Sequence, residues 1–297
     1  MNIDYLTRSL MFVPAHNERL MESATRVEAD VLLLDLEDSV QPIMNKQLAR
    51  NNIIKFVSEG RFLNRPVFPR VNDRESGQLL KDVYELTIDG VTGFMYPKSK
   101  KGEDIYFFGK LLETIEFEKG FPIGTFKIIA LIETSGAVMN IQDICTACPS
   151  RLVAVAFGCE DFITDLGGKH DEQGQSIFTA RSMIAMGAKA NKVIPIDTVH
   201  IKVHDLEDLE KNIIIAKNLG FEGMMILNPK ELPLAHKYFS PSKEEIDWAI
   251  EMLMLSKEAE ASGKGVAINN GKFIGPPMVK MANGILKRQE LIERNMQ

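Results

Sequence analysis

The chain has 297 residues, 45% of them apolar, and carries 41 acidic against 35 basic residues for a net charge of −6. That length suits one large domain or two small ones around a substantial core, and the acidic balance offers no field for nucleic acid or an anionic membrane. The longest apolar runs, such as 31–34 and 128–132, are strand-sized, and none approaches a spanning helix.

The N-terminal MNIDYLTRSL has no basic segment followed by an apolar one, so no secretory signal is expected. A first strand is predicted over Ser9 to Val13, ending at Pro14-Ala15-His16, with a helix from about Asn17. The run Val31 to Leu34 ends in Asp35-Leu36-Glu37-Asp38, and the helix after it carries Lys46 and Arg50, which share a face at i and i+4. That face is either solvent-exposed or turned to phosphate groups. Pro66 to Phe68 leads to Arg70 and Asn72, and Gly90 to Tyr96 leads to Lys98.

The stretch from Lys127 to Asp161 reads as strand, helix and parallel strand. Its helix is expected from Ser135 to about Ala147, with Val138, Ile141 and Ile144 on one face. Its two strands are nearly continuous in apolar residues, as in strands covered on both sides, and close on Glu133 and on Gly158, Glu160 and Asp161. Val193 to Ile196 ends in Asp197, and Gly223 to Leu227 ends in Asn228-Pro229.

Polar strand ends thus fall at 35, 70, 98, 133, 161, 197 and 228, scattered about the roughly 31-residue period of a barrel of eight strand-helix units. With no Gly-rich phosphate loop after the first strand, the expected fold is α/β, a (β/α)8 TIM barrel in a catalytic domain of residues 1–240. The remainder, 241–297, is expected to be a C-terminal helical extension. Ser242 and Glu245 form a capping box for a helix to about Ala261. A Gly-rich turn centred on Asn269-Asn270-Gly271 comes next, and Pro276-Pro277 opens the last helix. Too small to fold alone, it reads as a lid or an intersubunit segment.

In a parallel barrel the C-terminal strand ends carry the chemistry. Glu133 and Asp161 supply two hard oxygen ligands with room for water, the usual way of holding Mg²⁺, which can act as a Lewis acid on an α-keto or α-hydroxy acid. Arg70 suits a substrate carboxylate or a developing enolate. Lys98 would need a lowered pKa to serve as a Schiff-base lysine, and its strand shows no means of lowering it. Three cysteines, an odd number, fit reduced thiols in a cytoplasmic protein, and Cys145-x-x-Cys148 lacks a second pair for zinc. His200 and His204 are four apart, but in a segment that reads as a loop.

The segments Arg8-Ser9-Leu10-Met11-Phe12-Val13-Pro14, Leu34-Asp35-Leu36-Glu37-Asp38-Ser39-Val40, Lys46-x-x-x-Arg50, Pro69-Arg70-Val71-Asn72, Tyr96-Pro97-Lys98, Ile132-Glu133-Thr134 and Gly158-Cys159-Glu160-Asp161 together resemble the citrate lyase β-subunit-like (HpcH/HpaI aldolase) superfamily. The resemblance implies a Mg²⁺-dependent barrel that cleaves citryl-, citramalyl- or malyl-CoA-type thioesters to an acetyl thioester and a 2-keto acid. It puts the metal on Glu133 and Asp161, the substrate carboxyl on Arg70, and an ordering role on Asp35 and Glu37. Lys46, Arg50 and Arg8 would lie near the phosphates of a CoA or acyl-carrier-protein thioester, and Lys98 beside the substrate. It further implies a homo-oligomer, trimer or hexamer, while the acidic charge balance gives the expectation of no nucleic acid or membrane partner.

Two positions depart from the pattern. Gly275 stands where an acid-base Asp is expected, and Asn228-Pro229 where His-Pro is expected. The departures keep two alternatives open, an aldolase acting on a free hydroxy-keto acid and a non-catalytic thioester-binding subunit.

Overall fold

Eight apolar runs become eight parallel strands: β1 Ser9–Pro14, β2 Val31–Asp35, β3 Val67–Arg70, β4 Gly93–Tyr96, β5 Lys127–Ile132, β6 Leu152–Phe157, β7 Ile194–Asp197 and β8 Gly223–Ile226. In this computed structural model, which describes residues 3–171, 174–261, 267–269 and 272–295, they pair in sequence order into a closed barrel, the (β/α)8 fold. Closure leaves no edge strand among them, and nearly every strand residue is buried.

Between the strands run α1 Glu18–Ala24, α2 Asn45–Ser58, α3 Leu79–Leu86, α4 Gly102–Lys119, α5 Ser135–Met139, α6 Ile141–Thr146, α7 Cys159–Leu166, α8 Gln175–Ala190 and α9 Leu206–Leu219. Side-chain caps start several of them: Asn17 accepts from the N–H groups of Arg19 and Leu20, and Thr134 from that of Ala137. The single helix predicted from Ser135 is two short helices, because the chain leaves helical geometry at Asn140. The strand predicted to close on Gly158, Glu160 and Asp161 ends at Phe157, and all but Gly158 belong to the first turn of α7.

The barrel seam depends on close backbone approach. Gly223 opposes Ile196 on β7, and a Cβ there would lie 1.7 Å from the carbonyl oxygen of Thr7. Elsewhere buried ion pairs brace the walls. Arg151 donates to both oxygens of Glu116, at 2.7 and 2.6 Å, and Arg181 to Asp197 at 3.1 and 2.5 Å.

The chain divides into two compact units, one spanning Thr7–Ala235 and the other taking in Asp4–Leu6 and the residues from His236 onward. In the smaller, α11 Lys243–Ala261 and α12 Pro276–Asn295, which follow α10 Leu232–Phe239, share a small core of Ala249, Met252 and Ala282. The capping box forms: the Ser242 N–H donates to Glu245 at 2.8 Å, and the Glu245 N–H to the Ser242 hydroxyl at 3.2 Å. Ala267–Asn269 and Lys272–Ile274 pair as two antiparallel strands, whereas the predicted turn at Asn270 and Gly271 lies outside the described residues. No helix among the described residues is long and apolar enough to cross a membrane.

Replacing Gly223 by Ala forces a methyl group against main chain and is expected to destabilise the barrel by about 3 kcal/mol. Thermal unfolding should then show Tm lower by about 10 °C, and an unchanged Tm would contradict the seam geometry.

Candidate active site

Asp35 and Arg70 are ladder partners at the C-terminal ends of β2 and β3. Arg70 donates from Nε to Oδ1 at 2.7 Å and from Nη2 to Oδ2 at 2.8 Å, a two-pronged pair. Asp35 also accepts the Glu37 N–H at 3.0 Å, the Ser39 N–H at 3.0 Å and the Ser39 hydroxyl at 2.5 Å. Burial alone would raise its pKa, but Arg70 and these donors outweigh it and hold Asp35 below the usual carboxylate range. Arg70 donates further to Asp38 at 3.2 Å, has Nη1 3.1 Å from Glu37, and lies 4.8 Å from the centroid of the Phe12 ring.

Three other carboxylates lie near this pair. Glu37 is 5% exposed, and neither of its oxygens makes a hydrogen bond of good geometry, although Lys98 Nζ is 3.2 Å away. Burial pushes Glu37 up to about 7, against the pull of Arg70 and Lys98. Glu133, just past β5 and 2% exposed, is pushed up to about 8 by burial and by the charges of Glu37 and Asp161. Asp161 is raised too, by desolvation at the cavity wall and by Asp38. Burial is the larger cause of these rises and neighbouring acids the smaller, and a divalent ion between Glu133 and Asp161 would offset both.

Main-chain geometry holds Glu133 in place. Lys98 sits at φ +53°, in the left-handed region that side chains avoid, and from there its N–H donates to Glu133 Oε1 at 2.6 Å. Its ammonium donates to Asp73 at 3.0 Å, and Asp73 and Glu37 raise its pKa despite partial burial, so it stays charged and unsuited to Schiff-base chemistry. Gly158 lets the end of β6 close in, since a Cβ there would stand 2.9 Å from Glu133 Cβ.

Asp35, Asp38, Ser39, Arg70, Glu133, Glu160 and Asp161 all line one cavity of about 530 Å³, within the size range of small-molecule sites. Lys46, Arg50 and Arg8 do not. Lys46 is buried and donates to the carbonyls of Leu36 and Glu37 at 2.7 and 2.6 Å. Arg50 is buried on Asp82 at 2.6 Å, and Asp82 in turn accepts the Asn72 N–H at 2.9 Å. The shared face of Lys46 and Arg50 therefore points inward, neither exposed nor turned to phosphates. Arg8 precedes β1 and pairs with Asp30 at 2.8 Å; the six residues of β1, at about 3.3 Å each, separate it from the catalytic rim.

Among the other candidates, His200 is buried against the Asp205 carbonyl at 3.2 Å, while His204 is exposed. Cys145, Cys148 and Cys159 are free thiols. Sequence reasoning missed Ser39, the Lys98 N–H and Phe12. Only Ser39 had a signal, a hydroxyl four residues past an Asp.

A parallel eight-stranded barrel with convergent acids and one guanidinium at its C-terminal rim defines a barrel enzyme. The HpcH/HpaI aldolase/citrate lyase family pattern matches residues 8–229, and the chain belongs to that family. It is 28% identical to the citrate lyase subunit beta of Leuconostoc mesenteroides subsp. cremoris over 97% of this chain and 94% of that one. To the L-malyl-CoA/beta-methylmalyl-CoA lyase of Rhodobacter capsulatus it is 27% identical, over 96% and 95% of the two chains. The CitE protein of Mycobacterium tuberculosis, solved with magnesium, acetoacetate and coenzyme A, superposes with a TM-score of 0.75 at 26% identity, over 96% of this chain and 99% of that one. The protein is thus an enzyme of a lyase family.

Because the Lys46 ammonium is satisfied inside the fold, Lys46→Met is expected to lower stability by about 2 kcal/mol in urea denaturation. KM for a thioester substrate should stay within about twofold. Unchanged stability with a tenfold rise in KM would assign Lys46 to the ligand instead.

Proposed function

We propose that the protein is a Mg²⁺-dependent carbon–carbon lyase that cleaves a 3-hydroxy-acyl thioester of the citryl-, citramalyl- or malyl-CoA type into an acetyl thioester and a 2-keto acid. The observation that carries this reading is the convergence of Glu133 and Asp161 on one cavity beside Arg70, where burial first and neighbouring carboxylates second raise both of their pKa values. Glu133 and Asp161 would hold the ion, and Asp35 and Glu37 would order the groups behind it. When bound, Mg²⁺ supplies Lewis-acid stabilisation of the negative charge that develops on the reacting oxygens.

The protein's own side chains do the rest. Bonds to Asp35 and Asp38 engage three of the N–H groups of Arg70, out of the five that a guanidinium carries. The remainder is available to Glu37 and to a substrate carboxylate or enolate oxygen. Asp35 keeps that fork in plane and oriented. The Lys98 N–H fixes one oxygen of Glu133 and leaves the other for a ligand. Gly275 brings no proton donor, so the acid-base group lies elsewhere. Residues 241–297, with their own small core, are read as a lid or intersubunit segment of a homo-oligomer.

A second reading, aldol cleavage of a free hydroxy-keto acid, draws support from the internal pairing of Lys46 and Arg50, which takes two expected phosphate partners away from a carrier. The thioester reading draws more support, from the named relatives and from the coenzyme A complex of CitE.

Turnover of purified protein with Mg²⁺ should be followed on malyl-, citramalyl- and citryl-CoA and on free 4-hydroxy-2-keto acids. Cleavage of a thioester is expected, with kcat/KM lower by at least about a hundredfold in Glu133→Gln and Asp161→Asn. Both variants should lose Mg²⁺ binding in calorimetry. Cleavage of the free acids alone would favour the second reading, and Mg²⁺ binding without any turnover would leave a binding subunit.

A further inference from the structure

The cavity wall is divided by strand order. Its acids come from the sector β2 to β6: Asp35, Asp38, Glu133, Glu160 and Asp161, with Arg70 the one cation among the described residues that line it. The sector β7, β8 and β1 closes the barrel on itself, and the cavity residues from it and the loops after β7 and β8 include Met11, Val13, Val199, Met225 and Leu227. Leu131 extends this hydrocarbon to the foot of the metal site. It lies two residues before Glu133, and a Cβ at Gly158 would be 3.6 Å from Leu131 Cδ1 and 2.9 Å from Glu133 Cβ. Met11, Leu131 and Met225 are buried, at 8%, 2% and 2% exposed, and offer only hydrocarbon and thioether to the cavity.

A substrate whose carboxylate and hydroxyl face Glu133, Asp161 and Arg70 has one more substituent on the same carbon to place. A second carboxylate there would meet five acids: the N–H groups that Arg70 does not give to Asp35 and Asp38 already face the first carboxylate, and the Lys98 ammonium is held between Asp73 and Glu37. Burying an unpaired charge is among the costliest placements in a protein. A hydrocarbon arm, by contrast, gains from each carbon it removes from water.

We propose that the carbinol carbon of the substrate bears a hydrocarbon arm of two or more carbons, so that the keto acid released is a 2-oxo acid with an alkyl side chain; this rests on the thioester-lyase reading. In the cleavage the bond between the methylene and carbinol carbons breaks and its electron pair stays with the methylene carbon, which takes up a proton. The carbinol hydroxyl gives up a proton as it becomes the keto oxygen. The step balances without an oxidant or reductant.

The test is kcat/KM of the full-length Mg²⁺-loaded protein on a set of thioesters that differ only in this arm: hydrogen, methyl, ethyl, propyl and carboxymethyl. A rise of about fourfold per added methylene is expected, with the carboxymethyl member at least about a hundredfold below propyl. Leu227, at the rim and 43% exposed, is a site where Leu227→Lys would supply the missing cation with little risk to folding. In that variant the carboxymethyl-to-propyl ratio should rise at least about tenfold. A wild-type optimum at hydrogen, methyl or carboxymethyl, or an unchanged ratio in the variant, overturns the assignment while leaving the lyase reading in place. No turnover with any arm overturns both.

Discussion

The pair between Asp35 and Arg70 is the constraint on which the rim of this barrel depends. Parallel pairing of β2 and β3 puts the two side by side at the catalytic end, and the guanidinium fork satisfies both carboxylate oxygens. The segment after β2 then folds over the pair, with the Glu37 and Ser39 N–H groups pointing back at Asp35, and Lys46 ties down the outer carbonyls of the same turn. Held from both sides, this turn delivers Glu37 beside Arg70 and Lys98 with its oxygens unfilled. The crowding of negative charge around Glu133 follows from that one arrangement.

Much of this was legible in the chain, for reasons that can be named. Strands buried on both faces must be apolar throughout, so the eight runs and the carboxylates closing them stand out, and Glu133 and Arg70 were found where they lie. Asp161 reads as a strand end in the sequence because only Gly158 separates Phe157 from the first turn of α7; either reading brings it to the cavity. Lys46 and Arg50 do share a helix face, but periodicity says nothing of which way a polar face turns, and here it turns inward to Asp82 and to bare carbonyls. Arg8 is different, since its place before β1 already put it at the far end of the barrel. Nothing in the residue types of Tyr96-Pro97-Lys98 announces a left-handed residue at 98. From that conformation the N–H reaches Glu133.

The cavity sets a polar half against an apolar half, and the division follows the order in which the strands are joined. Carboxylates and guanidinium come from the consecutive sector between β2 and β6, while β7, β8 and β1 meet across the seam and bring methionine, valine and leucine. The two halves come from separate runs of strands, so a substitution in one leaves the backbone of the other in place.

Lys98 serves two neighbours through chemically independent parts of itself. The peptide N–H fixes Glu133, whereas the ammonium at the end of the side chain stands between Glu37 and Asp73. Main-chain donation does not depend on which side chain is present, provided that the backbone can hold its left-handed turn. Drift at this codon would therefore change the charge balance around Glu37 and spare the anchoring of Glu133. Glycine and asparagine, the residues most at ease in that conformation, are the natural endpoints of such drift, and each would leave a more acidic rim around an unaltered Glu133.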